Sequence, residues 1–290
     1  MNFTAGFIII SIKKEPMKYS GLFFVVLLTT SFLFTACNNN SSGKKTTIPV
    51  IKEENISYKD DTTDLNGFVA YDSAITGIRP VVLVIHEWWG LNDNTKNKVR
   101  QLAALGYLAF AVDMFGGGKM GNDPDEAGKL VMPFYQHTSL AKSRFDAALA
   151  KVKTFAQADT NKIAATGYCF GGAMVLNLAR MGEDLKGVVS FHGNLVGVPA
   201  DKKLLKAKIL VCHGADDQFV KPDEVAMFKK QMDSIGADYT FKSYAGATHA
   251  FTNPNATKMG LQFKLPIAYN AAADSGSWTV MQEFLGRIFK

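Results

Sequence analysis

Cysteine is scarce in this chain: three in 290 residues, at positions 37, 169 and 212, with no C-x-x-C pair. That scarcity argues against a disulfide scaffold and a dithiol redox motif. Histidine is also sparse, and none of the five sits at short ligand spacing or shares a helix face with another, so no zinc motif is present. Lysine and arginine outnumber the acids by 32 to 26, or 29 to 25 once the first 36 residues are set aside. No basic cluster or RNA-binding signature accompanies that surplus, so nucleic acid is not an expected partner. Mild attraction to anionic substrates or lipids is all the charge supports. No period of about 20–50 residues recurs, which excludes a repeat architecture. With 47% hydrophobic and 20% charged residues, the composition is that of a globular protein.

The first 37 residues do not read as fold. From Met17, "MKYSGLFFVVLLTTSFLFTAC" carries one lysine, an uncharged apolar run and small residues before Cys37. That is the form of a secretory signal; as an uncleaved anchor it would sit near the lower limit of ~17–20 residues for a span. The "FTAC" ending resembles the lipobox of bacterial lipoproteins, with Phe34 where leucine is usual. The resemblance implies that Cys37 is diacylated and becomes the mature N-terminus. Residues 1–16 then read as an extension ahead of the true start. Residues 37–50, beginning "CNNNSSGKKTT", read as the lipidated cysteine and a flexible tether. The expectation is an exported domain held by an N-terminal lipid anchor at a membrane of the cell envelope, outside the cytoplasm.

Residues 51–290 alternate strand and helix, which predicts one α/β domain with a mostly parallel central sheet flanked by helices. "ISYKDDTTD" and "NGFVAYDS" form a first hairpin. "PVVLVI", "YLAFAV", "KIAATGYCF", "LKGVVSF" and "AKILVCHG" are apolar enough for strands buried on both faces. Between them, "NDNTKNKVRQLAALGY" reads as a helix ending at Gly106. Phe145, Ala148, Leu149, Val152, Phe155 and Ala156 make one helical stripe. Every residue type able to carry chemistry falls just after a strand, where ligands sit in such sheets.

The segment "TGYCFGG" (166–172) has the form glycine-x-nucleophile-x-glycine between a strand and an apolar helix. So sharp a turn needs glycine on both sides, exposes the central side chain and leaves the next N–H, that of Phe170, free for an oxyanion. The helix start favours a thiolate at Cys169. Asp216 and Asp217 in "HGADDQFV" and His249 in "GATHAF" follow in the order nucleophile, acid, histidine. A histidine serves as base and then acid, and a carboxylate holds its tautomer.

The segments "HEWWG", "GYCFGG", "DDQFV" and "HAF" together resemble the dienelactone hydrolase family, over roughly residues 60–288. The resemblance implies an α/β-hydrolase fold and a triad of Cys169, Asp217 and His249, the acid standing two residues before "FV". It places Glu87 beside the resting thiol and Trp88 N–H with Phe170 N–H in the oxyanion hole. It implies a small ester or lactone as substrate and no cofactor. The family's arginines for a substrate carboxylate are missing: Asn253 stands four residues after His249, and residues 114–138 hold only Lys119 and Lys129 as basic groups. Trp88, Trp89, Phe115, Phe134, Tyr135 and Asn253 are the expected pocket residues.

Two rival readings keep the same fold: a binding or scaffold lipoprotein with a vestigial site, and an acyltransferase on the same triad. A thiol redox protein would need Cys212 as partner. The strand between puts the two Cα atoms about 9–10 Å apart, beyond the ~7 Å that a bridge allows. His86, His192 and His213 read as buried histidines with hydrogen-bond partners rather than metal ligands.

Overall fold

A computed structural model describes residues 48–290; Cys37, the signal segment and most of the tether lie outside the described residues. The chain enters through β1 (Ile51–Asp60) and β2 (Thr63–Asp72), an antiparallel pair in unbroken register from Ile51↔Asp72 to Asp60↔Thr63. Asp61, at φ 51°, turns the hairpin. The apolar runs then become β3 (Arg79–Ile85), β4 (Leu108–Val112), β5 (Ala158–Tyr168), β6 (Gly187–Phe191), β7 (Lys208–Gly214) and β8 (Tyr239–Tyr244). They form one eight-stranded sheet in the order β1-β2-β4-β3-β5-β6-β7-β8, parallel from β4 onward.

Both faces of this sheet are covered, which is why its central strands contain few polar residues. Val81, Leu83 and Ile85 point into one apolar layer with α3 (Thr138–Val152), α4 (Phe170–Arg180) and α5 (Pro222–Ile235). Val82 and Val84 point into the other, with α1 (Asp93–Ala104) and α7 (Ala271–Ile288). The period-two alternation of a strand thus sorts adjacent residues into opposite cores. Helix starts follow local chemistry. Asn92 accepts the Thr95 N–H, and Asp123 accepts the Glu126 N–H at the start of α2 (Pro124–Gln136).

Two features differ from the sequence reading. α3 stops at Val152, so Phe155 and Ala156 leave the expected stripe; Thr154 Oγ bonds the Lys151 carbonyl at 2.8 Å and a tight turn leads into β5. A further short helix, α6 (Ala256–Phe263), occupies a stretch with no assigned element; only Ala256 and Gly260 of it are buried, too few to print an amphipathic pattern.

The sheet places the site through its switch in direction. After β3 the chain goes out to β4 and returns to β5 on the other side of β3, opening a crevice at the carboxyl ends of β3 and β5. α4 closes on that crevice only because of two glycines. A Cβ on Gly167 would lie 2.1 Å from Gly171 O, and one on Gly171 would lie 2.2 Å from Ile85 O. Both obstacles are backbone and cannot swing away. Gly171→Ala is therefore expected to destabilise the domain by about 3 kcal/mol; an unchanged urea midpoint would contradict this packing.

Candidate active site

Cys169 occupies the single residue between β5 and α4, at φ 53° and ψ −114°. A non-glycine residue there stores strain of order 1–3 kcal/mol, sustained only by its surroundings. Those surroundings are explicit. The Cys169 N–H donates to Phe191 O at 2.9 Å and to His192 Nδ1 at 3.1 Å, and the Gly171 N–H donates to His86 O at 3.1 Å. Among the described residues, the N–H groups of Phe170 and Trp88 have no acceptor, and both residues line the cavity beside Cys169. Phe170 N–H is also the first of the unpaired donors at the start of α4.

Asp217 follows β7 and is pinned by its own loop: Oδ1 accepts from the N–H groups of Phe219 at 2.8 Å and Val220 at 3.3 Å. Oδ2 accepts from His249 Nδ1 at 2.8 Å. This fixes the proton on Nδ1 and leaves Nε2 as the nitrogen available to the cavity. Asp216 is exposed and meets no histidine; its N–H closes the turn onto Ala247 O. Burial alone would lower the His249 pKa, but the charge of Cys169 and the Asp217 bond outweigh it and push it up to about 10.

Glu87 is buried and lines the same cavity as Cys169. Its Oε2 accepts from Asn253 Nδ2 at 2.6 Å and Asn94 Nδ2 at 3.4 Å. Among the described residues no lysine, arginine or histidine forms a salt bridge with it. Burial raises its pKa against the pull of those bonds. Asn253, expected in the pocket, does not line it; it is buried as the donor that anchors Glu87. Phe115 and Phe134 are also off the pocket wall, packed with Phe170 in the core. The cause is Asp113, whose carboxylate gathers the N–H groups of Asn66, Phe115, Gly116 and Gly118 and turns the chain inward. Trp88, Trp89 and Tyr135 do line the pocket, and Trp89 stacks on Phe263 of α6 at 5.7 Å.

The pocket holds about 190 Å³, and no lysine or arginine lines it. Leu265 and Ile267, which follow α6, complete an apolar wall that the sequence did not reveal. His192 was also missed as part of the site. At φ 41° it ends β6, accepts the Cys169 N–H on Nδ1 and pairs Nε2 with Thr252 Oγ at 2.9 Å. Because the Cys169 N–H can only donate, the His192 proton sits on Nε2. Burial, followed by the His249 charge, depresses its pKa well below the usual histidine range. His192 thus ties the cysteine turn to the loop bearing His249, whose ring lies 5.2 Å away. His86 is likewise neutral, held at about 4 by burial, with Nδ1 on Glu87 O and Nε2 accepting from Met114 N–H. His213 packs on Phe241. Cys169 and Cys212 are both unbridged, and β6 separates their strands. Burial pushes the Cys212 thiol up to about 12.

Fold and site together define an α/β-hydrolase. Residues 65–289 match the sequence model of the dienelactone hydrolase family, and the chain belongs to that family. Protein usf of Aquifex pyrophilus is 34% identical over 179 residues, 60% of this chain and 77% of that protein. A dienelactone hydrolase-like promiscuous phosphotriesterase from metagenomic libraries has a TM-score of 0.78 at 33% identity, covering 83% of this chain and 99% of its own. The structure called m3DLH gives the same TM-score of 0.78 and the same coverage at 31% identity. The protein is a carboxylic ester or lactone hydrolase acting on small molecules.

The raised His249 pKa carries a sign. Its contribution to stability is complete below the ordinary value of 6.5 and is lost as pH rises through about 10. Were His249 to protonate the leaving alkoxide, cleavage of an unactivated alkyl ester would lose rate only near that upper value. Asp217→Asn should move the alkaline limb of kcat/KM downward. A wild-type limb near pH 7 would contradict the assignment.

Proposed function

We propose that Cys169 is the nucleophile and that the reaction runs through a cysteine acyl-enzyme. The thiolate attacks the carbonyl carbon, and the electron pair of the C=O bond moves onto oxygen, which accepts from the N–H groups of Phe170 and Trp88. Collapse breaks the C–O bond, and the alkoxide takes the proton from His249 Nε2. In a lactone, that new hydroxyl stays on the acyl group. Water then gives a proton to His249 and attacks the thioester, and collapse expels the Cys169 thiolate and the carboxylic acid. Asp217 holds the imidazole in one tautomer throughout. Glu87 acts as the local acceptor that sets the resting state of the thiol. No cofactor enters any step.

The observation that carries this reading is the Asp217–His249 pair beside Cys169 in one cavity. An intact set of this kind favours turnover over a vestigial binding site. Transfer of the acyl group to an alcohol or amine would use the same first half-reaction. The cavity wall favours an uncharged acyl group: it carries no lysine or arginine, and its one cation, His249, is already paired with Asp217. Cys169→Ala should lower kcat/KM for small neutral esters by roughly a thousandfold or more, and Cys212→Ala should leave it unchanged. Carboxylate-bearing esters or lactones should be at least about tenfold poorer substrates, the cost of a charge without a partner. Full activity in Cys169→Ala would refute the mechanism; a preference for carboxylate-bearing substrates would refute the specificity.

The N-terminal segment supports a second part of the proposal: the domain is exported and anchored by lipid on Cys37. No helix among the described residues is long and apolar enough to cross a membrane. Cells fed an alkyne-labelled fatty acid should label the wild-type chain and not Cys37→Ser, which should leave the membrane fraction. Equal labelling of both would disprove lipidation at that residue.

A further inference from the structure

The pocket beside Cys169 shares Tyr135 and Asn194 with a second, larger concavity of about 560 Å³ that no hydrolytic step uses. Its wall is the loop after β6, residues 194–198, fixed by three side chains from beneath. Asn177 Oδ1 of α4 accepts the Val198 N–H at 3.0 Å. Glu224 Oε1 of α5 accepts the N–H groups of Leu195 and Val196. Arg180 donates to Leu195 O at 2.8 Å. Gly197 lets the loop lie directly on Asn177, since a Cβ there would stand 2.0 Å from Asn177 Oδ1. The concavity is therefore built in advance of any ligand.

Asn177 is 2% exposed, yet among the described residues its Nδ2 has no hydrogen-bond partner while the residue lines the concavity. That amide nitrogen is not sealed from solvent, so it stays free to donate to a group that enters the concavity. Asn194 Nδ2 and Glu224 Oε2 likewise have no partner among the described residues. Donors and an acceptor thus face one space, with no lysine or arginine on its wall. The Glu224 charge is offset by two backbone N–H groups and by the nearby Arg180 guanidinium. Such a wall suits groups that both donate and accept, and it disfavours carboxylates and phosphates. Tyr135 lines both compartments, and its hydroxyl donates to Asn194 Oδ1 at 3.5 Å.

We propose that this second concavity is the alcohol-side subsite, taking a hydroxyl-bearing alcohol portion of the ester while the acyl portion occupies the smaller apolar pocket. The assignment rests on the Cys169 hydrolase reading and names its substrate class: short-chain esters of polyols.

Two esters of one short acyl group, the glycerol monoester and the propyl ester, test it through the ratio of their kcat/KM values. The wild-type enzyme should favour the glycerol ester by about tenfold, the scale of one or two net hydrogen bonds. Asn177→Asp keeps the oxygen that holds Val198 and replaces the free donor; Glu224→Gln keeps Oε1 and removes the charge. Each should lower the ratio about three- to tenfold, chiefly through KM for the glycerol ester. A wild-type ratio near one, or a ratio unmoved in both folded variants, overturns the subsite. Cys169→Ala is assayed alongside. If it still cleaves both esters, the nucleophile reading fails and the subsite fails with it. If it is inactive while the ratio does not respond, only the subsite fails.

Discussion

The site depends on one strained residue. Cys169 is held at φ 53° because α4 starts one residue after β5 ends, and two glycines let that helix touch the backbone of both β3 and β5. The strain is maintained by bonds from neighbouring strand ends: Phe191 O and His192 Nδ1 on the Cys169 N–H, and His86 O on the Gly171 N–H. Each of those groups follows, or ends, a strand next to β5. The sheet therefore does more than display the cysteine. It over-determines a conformation that the residue alone would leave.

Charge is then distributed around that turn with little compensation from cations. Against burial, the interactions with Cys169 and Asp217 raise the His249 pKa, while His192 and His86 are kept neutral by burial. Glu87 is buried against two asparagine amides rather than an arginine. His249 lines the pocket, while the two neutral imidazoles, His86 and His192, stand behind its wall as struts. The apolar walls strengthen the His249–Asp217 pairing by excluding water. They also carry no lysine or arginine.

Much of this was legible in the sequence, for identifiable reasons. Strands buried on both faces appear as short apolar runs, so the sheet could be read from "VVLVI", "LAFAV" and "GVVSF". Cys169, Asp217 and His249 could be read because a sharp turn demands glycines and because each residue follows a strand. The contacts between distant segments were not legible. Asn253 looked like a pocket residue from its nearness to His249, but its partner Glu87 lies 166 positions away. Phe115 looked equally available until Asp113 gathered the backbone and turned that ring into the core. His192 and Thr252 carry no motif, and their role emerges only where β6 meets the loop after β8. α6 is too short, and too little of it is buried, to mark itself.

The most direct test of the central claim is intact-mass measurement of the enzyme quenched during turnover of a short neutral ester, followed by peptide mapping. Slowing deacylation with His249→Ala and an activated ester gives the intermediate time to accumulate. The account predicts a mass increase equal to one acyl group, confined to the peptide containing Cys169 and absent from Cys169→Ala. An unmodified Cys169 under conditions where product forms, or an acyl group mapped to another residue, would contradict it.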